Sequence, residues 1–440
     1  MSGKVERPSG RAVWGLALAS ASFTVLTHGY RLVDQYYIQK ISTEAQAALS
    51  TGVFFLVVLH ASYDILAAGS APWVARTTGA RQHERRRRIL GAALFGGLML
   101  SIGIALLGMS TAELIGRGLG LSGETSIQFA RYLRALSVTA APIVVTPILD
   151  GAFVAMGMAG VPLLLHGLSL LFNILVTPLA IDAFGIEGAA WASTGSRALA
   201  SGIGLMVLTR RTGLRLRHFR PLPELRDVWV VGAPVALATV FYGGVYWGLL
   251  RWAVSPLGPA VNAALGIGFS ALEGVTWPLF HGLGIATGSW VGRSLGAGQP
   301  DLAWARIWSA IPGSALLGAM AGFAFWWFGA DLTGLFTEDP VVHDQATTYA
   351  KVLAWSQVFV AFESLAEGIL FGAGSTRSVF LISTPFNLLR VPAGSWAAVH
   401  FGAAGIWWVI NLTTVVKAAL LWAWIASGGW ATALNRVEKR

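Results

Sequence analysis

The 440-residue sequence contains no cysteine, which excludes disulfides, thiolate metal sites and cysteine nucleophiles. Charged side chains are also scarce, at 12% of the residues, whereas soluble proteins contain about 25%. Hydrophobic residues make up 55% of the chain, and the mean hydropathy is +0.63. No polar stretch is long enough to form a soluble domain. The composition therefore indicates an integral membrane protein.

The apolar segments have the length of membrane-spanning helices. A hydrocarbon core of roughly 30 Å is crossed by about 20 apolar residues in a helix. Runs of this length, bounded by glycine, proline or charge, predict an all-α membrane protein with twelve spans. The spans are 12–38, 45–72, 88–110, 128–153, 160–182, 186–209, 228–252, 260–290, 304–329, 346–371, 377–399 and 403–427.

The net charge of +10 is concentrated in loops. Arginines cluster at 76–88 and 210–226, on the same side of the membrane if every span crosses once, and acidic residues cluster on the other side at 331–344. The positive-inside rule therefore predicts that both termini are cytoplasmic. A patch for anionic lipid or nucleic acid is the alternative, and we expect no nucleic-acid partner.

A short motif occurs twice. Trp-Val-x-Arg-x-x-Gly-Ala-x-Gln occupies 73–82 and 290–299, an offset of 217 with six identities in ten positions. The same offset aligns Gly151 with Gly368 and further glycines after them. Since each half contains six spans, both halves enter the membrane from one side and form a parallel repeat. We expect an N-lobe at 1–209, a basic cytoplasmic linker at 210–227 and a C-lobe at 228–440. A cavity between such halves and rocking for alternating access are typical of transporters.

Four stretches resemble the multidrug and toxic compound extrusion (MATE) transporters of bacteria. They read LVDQYYIQKISTEAQAALSTG, ALEGVTWPLFHGLGIATGSWVGRSLGAGQPDLA, ILFGAGSTRSVF and FGAAGIWWVINL, and the second is the most specific. The resemblance implies two lobes of six helices and proton- or sodium-driven export of organic cations across the inner membrane. It implies a monomer in the lipid bilayer with no cofactor.

Asp34 is the first candidate for ion coupling. A charge at bilayer depth costs roughly 2.5 kcal/mol or more and persists mainly beside a cavity or partner, and Asp34 also matches the family's span 1 aspartate. The resemblance implies that Asp34 belongs to an oxygen cluster with Asn173, Thr177 and Ser193. Thr177 stands where the family has a second acid, and Asp182 lies too far along the chain to substitute for that acid. A cluster with one carboxylate favours H⁺ over Na⁺, with Asp34 and Asn173 as the possible sodium ligands. An interfacial Asp34 without a coupling role is the alternative.

Glu273 matches the glutamate of the most specific stretch and lies inside an apolar segment. A cation or a proton can neutralise it there, which makes it a candidate for substrate binding or coupling. A carboxyl that only joins helices is the alternative. Arg251 aligns with Asp34 under the offset, so the halves carry opposite charges at this position. Arg251 either pairs with Glu273 or extends to the outer interface.

Asp150 and Glu367 are equivalent under the offset, and Glu363 lies one turn before Glu367. We expect a shared role near the cytoplasmic mouth, either contact with substrate or an ion pair for which Arg377 is the nearest base. Of the 19 tryptophans, most suit the membrane interfaces, but Trp247 and Trp277 are candidates for cation–π contact in a cavity.

Three other functions are alternatives to cation export: a flippase, a passive channel and an intramembrane enzyme. A lipid-linked saccharide flippase would need more buried bases for pyrophosphate. A passive channel does not require the duplicated architecture. An intramembrane enzyme would need a metal or nucleophile motif, and the spans contain neither a His-Glu metal motif nor a Ser-Lys pair at helical spacing. A transporter, and not an enzyme, is therefore the expected class.

Overall fold

The computed structural model describes residues 10–38, 40–119, 121–220 and 223–438, in which helices and turns occur and strands do not. Within these ranges, each predicted span corresponds to one helix, to two consecutive helices or to half of a longer one. The α-helices are α1 (Gly10–Ile38), α2 (Thr43–Gly79), α3 (His83–Gly118), α4 (Gly123–Val138), α5 (Ala140–Ala155), α6 (Gly160–Phe184), α7 (Ile186–Thr212), α8 (Glu224–Leu249), α9 (Pro259–Ile267), α10 (Gly274–Gly296), α11 (Pro300–Gly334), α12 (Pro340–Ala354), α13 (Gln357–Gly372), α14 (Thr376–Ala426) and α15 (Ala433–Glu438). The predicted all-helical membrane fold is confirmed.

Several of the predicted spans are bent or interrupted helices. The α4–α5 pair is bent by 57° and the α12–α13 pair by 61°, although 128–153 and 346–371 were each predicted as one span. The two breaks, at Thr139 and Ser356, are equivalent under the 217-residue offset. A π-helical turn at Gly268–Glu273 joins α9 to α10. The internal repeat therefore includes equivalent helix breaks that no sequence motif predicted.

Length and composition alone identify only some of the spans. Among the described residues, five helices are long and apolar enough to cross a membrane, or seven if each bent pair counts as one span. The other segments carry more small and polar residues. They include α1 and α7, which hold Asp34 and Ser193.

Turns between equivalent helices share a backbone conformation that favours glycine. Gly185 and Gly402 have φ of 61° and 64° at the turns that follow the fifth span of each half. Arg81 has φ of 56°, whereas its repeat equivalent Gly298 has φ of 70°. The left-handed region is strained for a residue with a Cβ atom, so Arg81 is the one departure from this rule among the described non-glycine residues.

Two helix crossings show the repeat in the packing. Gly151 of α5 lies against Ala67 and Ala71 of α2, where an added Cβ atom would be 3.5 Å from either residue. In the other half, Gly368 of α13 lies against Gly284 of α10, and an added Cβ atom would meet the Gly284 backbone. Gly284 and Gly368 are the repeat equivalents of Ala67 and Gly151. The second crossing is the closer one because glycine occupies both sides.

The described residues pack into two compact units. Those within Phe23–Gly243 and Val437–Arg440 form the N unit, whose core includes Ile38, Tyr63 and Tyr132. Those within Met1–Ser22 and Gly244–Arg436 form the C unit, whose core includes Leu249, Tyr349 and Trp407. The described residues among 210–243 thus pack with the N unit, and the described residues before 23 pack with the C unit. The expected lobes at 1–209 and 228–440, with the linker 210–227, stay a prediction.

Candidate functional site

The N unit brings three of the four predicted coupling residues together. The Ser193 hydroxyl of α7 lies 2.8 Å from each carboxylate oxygen of Asp34 of α1 and donates its proton to them. The Asn173 Nδ2 of α6 donates to the Ser193 hydroxyl over 3.3 Å. All three side chains are buried, with Asp34 only 6% exposed. Residues separated by more than 130 positions in the chain thus form one buried polar cluster.

Thr177 occupies the next turn of α6 but is bonded differently. Its hydroxyl donates to the Asn173 carbonyl oxygen at 2.7 Å and is fully buried. The threonine therefore supplies an oxygen near the cluster and no negative charge. Asp182 is exposed near the end of α6, in agreement with the expectation that it does not replace the missing acid.

The cluster can hold a proton or a small hard cation. Asn173 Oδ1 is buried and has no hydrogen-bond partner among the described residues. An amide oxygen of this kind can accept a hydrogen bond or serve as a ligand of Na⁺. Asp34 is the single carboxylate in the cluster, and the described residues contain no group of three or more His, Asp and Glu side chains suited to a metal. The single carboxylate of the cluster is sufficient to bind a proton, whereas it gives a sodium ion only one anionic ligand.

Glu273 lies in the C unit, at the end of the π-helical turn. It accepts a hydrogen bond of 2.7 Å from the Tyr349 hydroxyl of α12, a partner that sequence analysis missed. Tyr349 aligns with Tyr132 under the offset, and that identity was the available signal. Arg251 is exposed and forms no ion pair with Glu273 in the described part of the chain. The alternative, that Arg251 extends to the outer interface, stays a prediction.

The two tryptophan candidates are only half-buried. Trp247 is 49% exposed and contacts Trp252 edge to face. Trp277 is 43% exposed and stacks on His281, with the ring centroids 4.5 Å apart. Both rings keep surface available for a ligand, and a substrate role for them stays a prediction.

Asp150 and Glu367 make equivalent contacts in the two units. Asp150 accepts from His166 Nε2 at 2.8 Å, and Glu367 accepts from the Ser383 hydroxyl at 3.2 Å. His166 and Ser383 are themselves aligned by the offset. The predicted symmetry of this pair is therefore present in the hydrogen bonding.

The prediction that Arg377 is the base beside Glu367 was wrong. Arg377 is exposed near the start of α14 and forms no ion pair among the described residues, because it lies at the end of the helix and outside the packed interior. The buried base beside the two acids of α13 is Lys417, whose ammonium lies 2.6 Å from Glu363 and 2.9 Å from the Asn387 side-chain oxygen.

Further intramembrane polar residues were missed by sequence analysis, although the rule that selected the acids would also have selected them. Arg390 is buried and donates to the hydroxyls of Thr413 and Thr414 at 2.9 Å. Asp64 accepts from the Thr239 hydroxyl at 3.2 Å within the N unit.

The C unit does not repeat the coupling cluster. Arg251 stands where the N unit has Asp34, and Arg390 stands where it has Asn173. Two positive charges at these positions repel a cation. Among the described equivalents, the combination of a buried carboxylate with an amide and a hydroxyl therefore occurs in the N unit alone.

The fold and the site together define an internally duplicated, multi-pass helical membrane protein with ionisable groups buried between its helices. A model of the MatE family matches residues 20–179 and 234–396, nearly three quarters of the sequence. The chain belongs to the MatE family.

Related proteins and structures agree with this assignment. The chain is 21% identical to the multidrug export protein MepA of Staphylococcus aureus, over 92% of this chain and 90% of that protein. It is 24% identical to the probable multidrug resistance protein NorM of Thermotoga maritima, over 94% and 92%. A MATE structure in complex with MaL6 superposes with a TM-score of 0.88 at 22% identity, over 98% and 97% of the chains. A MOP superfamily transporter from Pyrococcus furiosus superposes with a TM-score of 0.86 at 20% identity, with the same coverage.

Proposed function

We propose that this protein is a secondary active transporter that exports organic cations in exchange for protons. The observation that carries the proposal is the buried cluster of Asp34, Ser193 and Asn173. A carboxylate at this depth is costly unless it serves ion movement or is neutralised. The names of the relatives, a multidrug export protein and a probable multidrug resistance protein, support export of drug-like compounds. No step of this transport requires a cofactor or makes the protein an enzyme.

The proposed coupling ion is H⁺ in preference to Na⁺. One carboxylate binds a proton at full strength, whereas sodium gains most of its attraction from anionic oxygens. Thr177 supplies a neutral hydroxyl whose proton is already donated to the helix backbone. A sodium ion would therefore have one anionic ligand, Asp34, and the neutral oxygens of Asn173 and Ser193.

The proposed substrates are amphipathic organic cations. Glu273 provides a negative group in the C unit, and the exposed rings of Trp247 and Trp277 can contribute cation–π attraction of about 0.5–2 kcal/mol each. The flippase alternative would use buried bases for pyrophosphate. Lys417 is neutralised by Glu363, which argues against that use, and leaves Arg390, bonded to two threonine hydroxyls, as one buried base without an acidic partner among the described ion pairs.

We further propose transport by alternating access, with the halves 1–209 and 228–440 moving about the link 210–227. The protein would act as a monomer in the inner membrane with both termini in the cytoplasm. The arginines at 85–88 and 210–226 support this orientation through the positive-inside rule.

Ethidium movement in liposomes containing the purified protein tests the proposal. A pH gradient at constant sodium should drive ethidium transport, and a sodium gradient at constant pH should not. Transport that needs sodium and ignores a proton gradient would refute the ion assignment. Downhill ethidium flux that no ion gradient can drive uphill would identify a channel, and transport of a lipid pyrophosphate in place of ethidium would identify the flippase.

A further inference from the structure

The N unit contains a buried His–Asp pair that the coupling cluster does not use. His166 of α6 is 2% exposed, and its Nε2 lies 2.8 Å from Asp150 Oδ2 of α5. Its other ring nitrogen, Nδ1, is buried without a hydrogen-bond partner among the described residues. Phe23 stacks on the ring with a centroid distance of 6.0 Å. A histidine with one nitrogen on a carboxylate and the other unoccupied can take up a proton without breaking its existing bond.

The pair lies on the same helix faces as the coupling cluster. His166, Ser169 and Asn173 follow one another at helical spacing on α6 and are all buried. Tyr30 lies one turn before Asp34 on α1, and its ring meets the His166 ring edge to face at 6.3 Å. The Tyr30 hydroxyl lies beside Ser169. Seven residues of helix place His166 about 10 Å along the axis from Asn173.

The buried residues Asn173, Ser169 and His166 follow one another on α6 toward the side of the protein that carries the basic loops 76–88 and 210–226. Asp150 is near the end of α5 and His166 near the start of α6, at the turn 156–159. Asp34 is farther from that end, near the end of α1. Under the proposed orientation, the pair therefore lies between Asp34 and the cytoplasm.

Charged and titratable neighbours of the pair come from several helices. Arg197 of α7 lies over the Tyr30 ring, 4.9 Å from its centroid. Tyr30 and Asp34 face these polar residues from α1. On α2, Ala67 and Ala71 lie against Gly151, and the titratable Tyr63 and Asp64 lie one turn before Ala67, with Tyr63 near Arg197. Among these described neighbours, Asp150 is the carboxylate within hydrogen-bond distance of His166.

We propose that Asp150 and His166 form a second proton site, which exchanges protons between Asp34 and the cytoplasm. The proposal rests on the proton-coupled export proposed above. In each transfer the O–H bond of protonated Asp34 breaks and an N–H bond forms at His166 Nδ1, and any hydroxyl or water between them gives up one proton as it receives another. The pair then releases one proton toward the cytoplasm and returns to its starting state. The equivalent pair in the C unit, Glu367 with Ser383, contains no histidine, so this site belongs to one half only.

His166→Gln and Asp150→Asn test the proposal in liposomes. Each should slow ethidium transport driven by a pH gradient at least tenfold and change its pH profile. Exchange of internal for external ethidium without a gradient moves no net protons and should keep its rate. Thr146→Val is the matched control, because Thr146 is buried one turn before Asp150 and its hydroxyl donates to the Pro142 carbonyl. That variant should keep both activities and the wild-type pH profile.

The double variant Asp150→Asn with His166→Gln separates proton exchange from a structural role. Two amides can retain a hydrogen bond between α5 and α6 but cannot titrate, so the double variant should stay uncoupled. Recovery of pH-driven transport in it would overturn the proposal. So would a His166→Gln protein with the wild-type rate and pH profile, provided that the wild type is driven by a pH gradient. If the wild type itself ignores the pH gradient, the proposed function fails instead.

Discussion

Asp34 has two chemical states at bilayer depth, a carboxylate and a neutral acid, which differ by one proton. The Ser193 hydroxyl stabilises the charged state by donating to both oxygens, and Asn173 Oδ1 is a buried acceptor on the same cluster with no partner among the described residues. A carboxyl that is stabilised by a hydroxyl and surrounded by neutral polar groups can gain and lose a proton within a folded helix bundle. This is the property that an exchange transporter requires at its coupling residue.

Asp34→Asn should abolish pH-driven ethidium export while the protein still inserts and folds. Asparagine has nearly the same shape and can bond to Ser193, but it carries no proton to exchange. Export from liposomes and the elution profile in detergent measure the two effects. Asp182→Asn is the control, since Asp182 is exposed on α6 and should be dispensable. Normal export by Asp34→Asn would show that coupling occurs elsewhere.

Thr177→Asp should restore a second acid near the cluster. A second carboxylate adds an anionic ligand for sodium, so sodium binding should strengthen or the pH dependence of export should shift. Sodium-dependent protection against thermal unfolding is the direct measurement. Thr177→Asn, which adds an oxygen without charge, should leave sodium binding weak. Equal sodium effects in both variants would contradict the role assigned to charge.

The members of the buried Asp34 cluster were predictable from the sequence, but the partners of many other buried polar residues were not. Asp34, Asn173 and Ser193 each occupy a position that the family motif marks, so their convergence was expected. Lys417 and Glu363 lie 54 residues apart and no motif relates them. A sequence identifies which charges are buried more readily than which charges meet, because the pairing depends on how the helices rotate and cross.

At the scale of the helix, some repeat features were predictable and others were not. Gly185 and Gly402 were aligned from the sequence, and both have the positive φ that makes glycine favourable. The break at Thr139 is followed by Pro142, which has no N–H to bond to the Val138 carbonyl. The break at Ser356 has no glycine or proline within four residues, and the sequence predicted continuous spans at both places. The bend at Ser356 therefore depends on packing between neighbouring helices, for which local sequence carries little signal.

Gly368→Ala should lower the stability of the protein by about 1–3 kcal/mol, because the added methyl group meets the Gly284 backbone at the crossing of α13 and α10. Gly151→Ala is the matched change in the other half and should be tolerated, since its methyl group has ordinary contacts of 3.5 Å. Thermal unfolding in detergent compares the two variants. A Gly151→Ala protein less stable than Gly368→Ala would contradict the difference in packing.

At the scale of the whole molecule, the halves share a backbone plan but differ in charge. Asp34 and Asn173 in one half are replaced by Arg251 and Arg390 in the other. Duplication explains the shared breaks and turns, whereas the charge reversal confines the proposed coupling to the N unit. Sequence comparison of the halves predicted the reversal at Arg251, and the structure adds Arg390 with its two threonine partners.

The orientation of the chain is testable because the sequence has no cysteine. Single cysteines at the exposed positions Arg88 and Leu216 should resist an impermeant thiol reagent in intact cells and react after the cells are opened. A cysteine at the exposed Glu338 should react in intact cells. Labelling of the first two positions from outside would reverse the proposed topology.

Proton release on substrate binding tests the central claim, that Asp34 exchanges a proton for a cation. Purified protein in weakly buffered detergent solution is mixed with ethidium, and a pH-sensitive dye reports the protons released. The wild type should release protons as ethidium binds, and Asp34→Asn should bind ethidium with that release abolished or sharply reduced. Undiminished proton release from Asp34→Asn, or none from a wild type that binds ethidium, would contradict the claim.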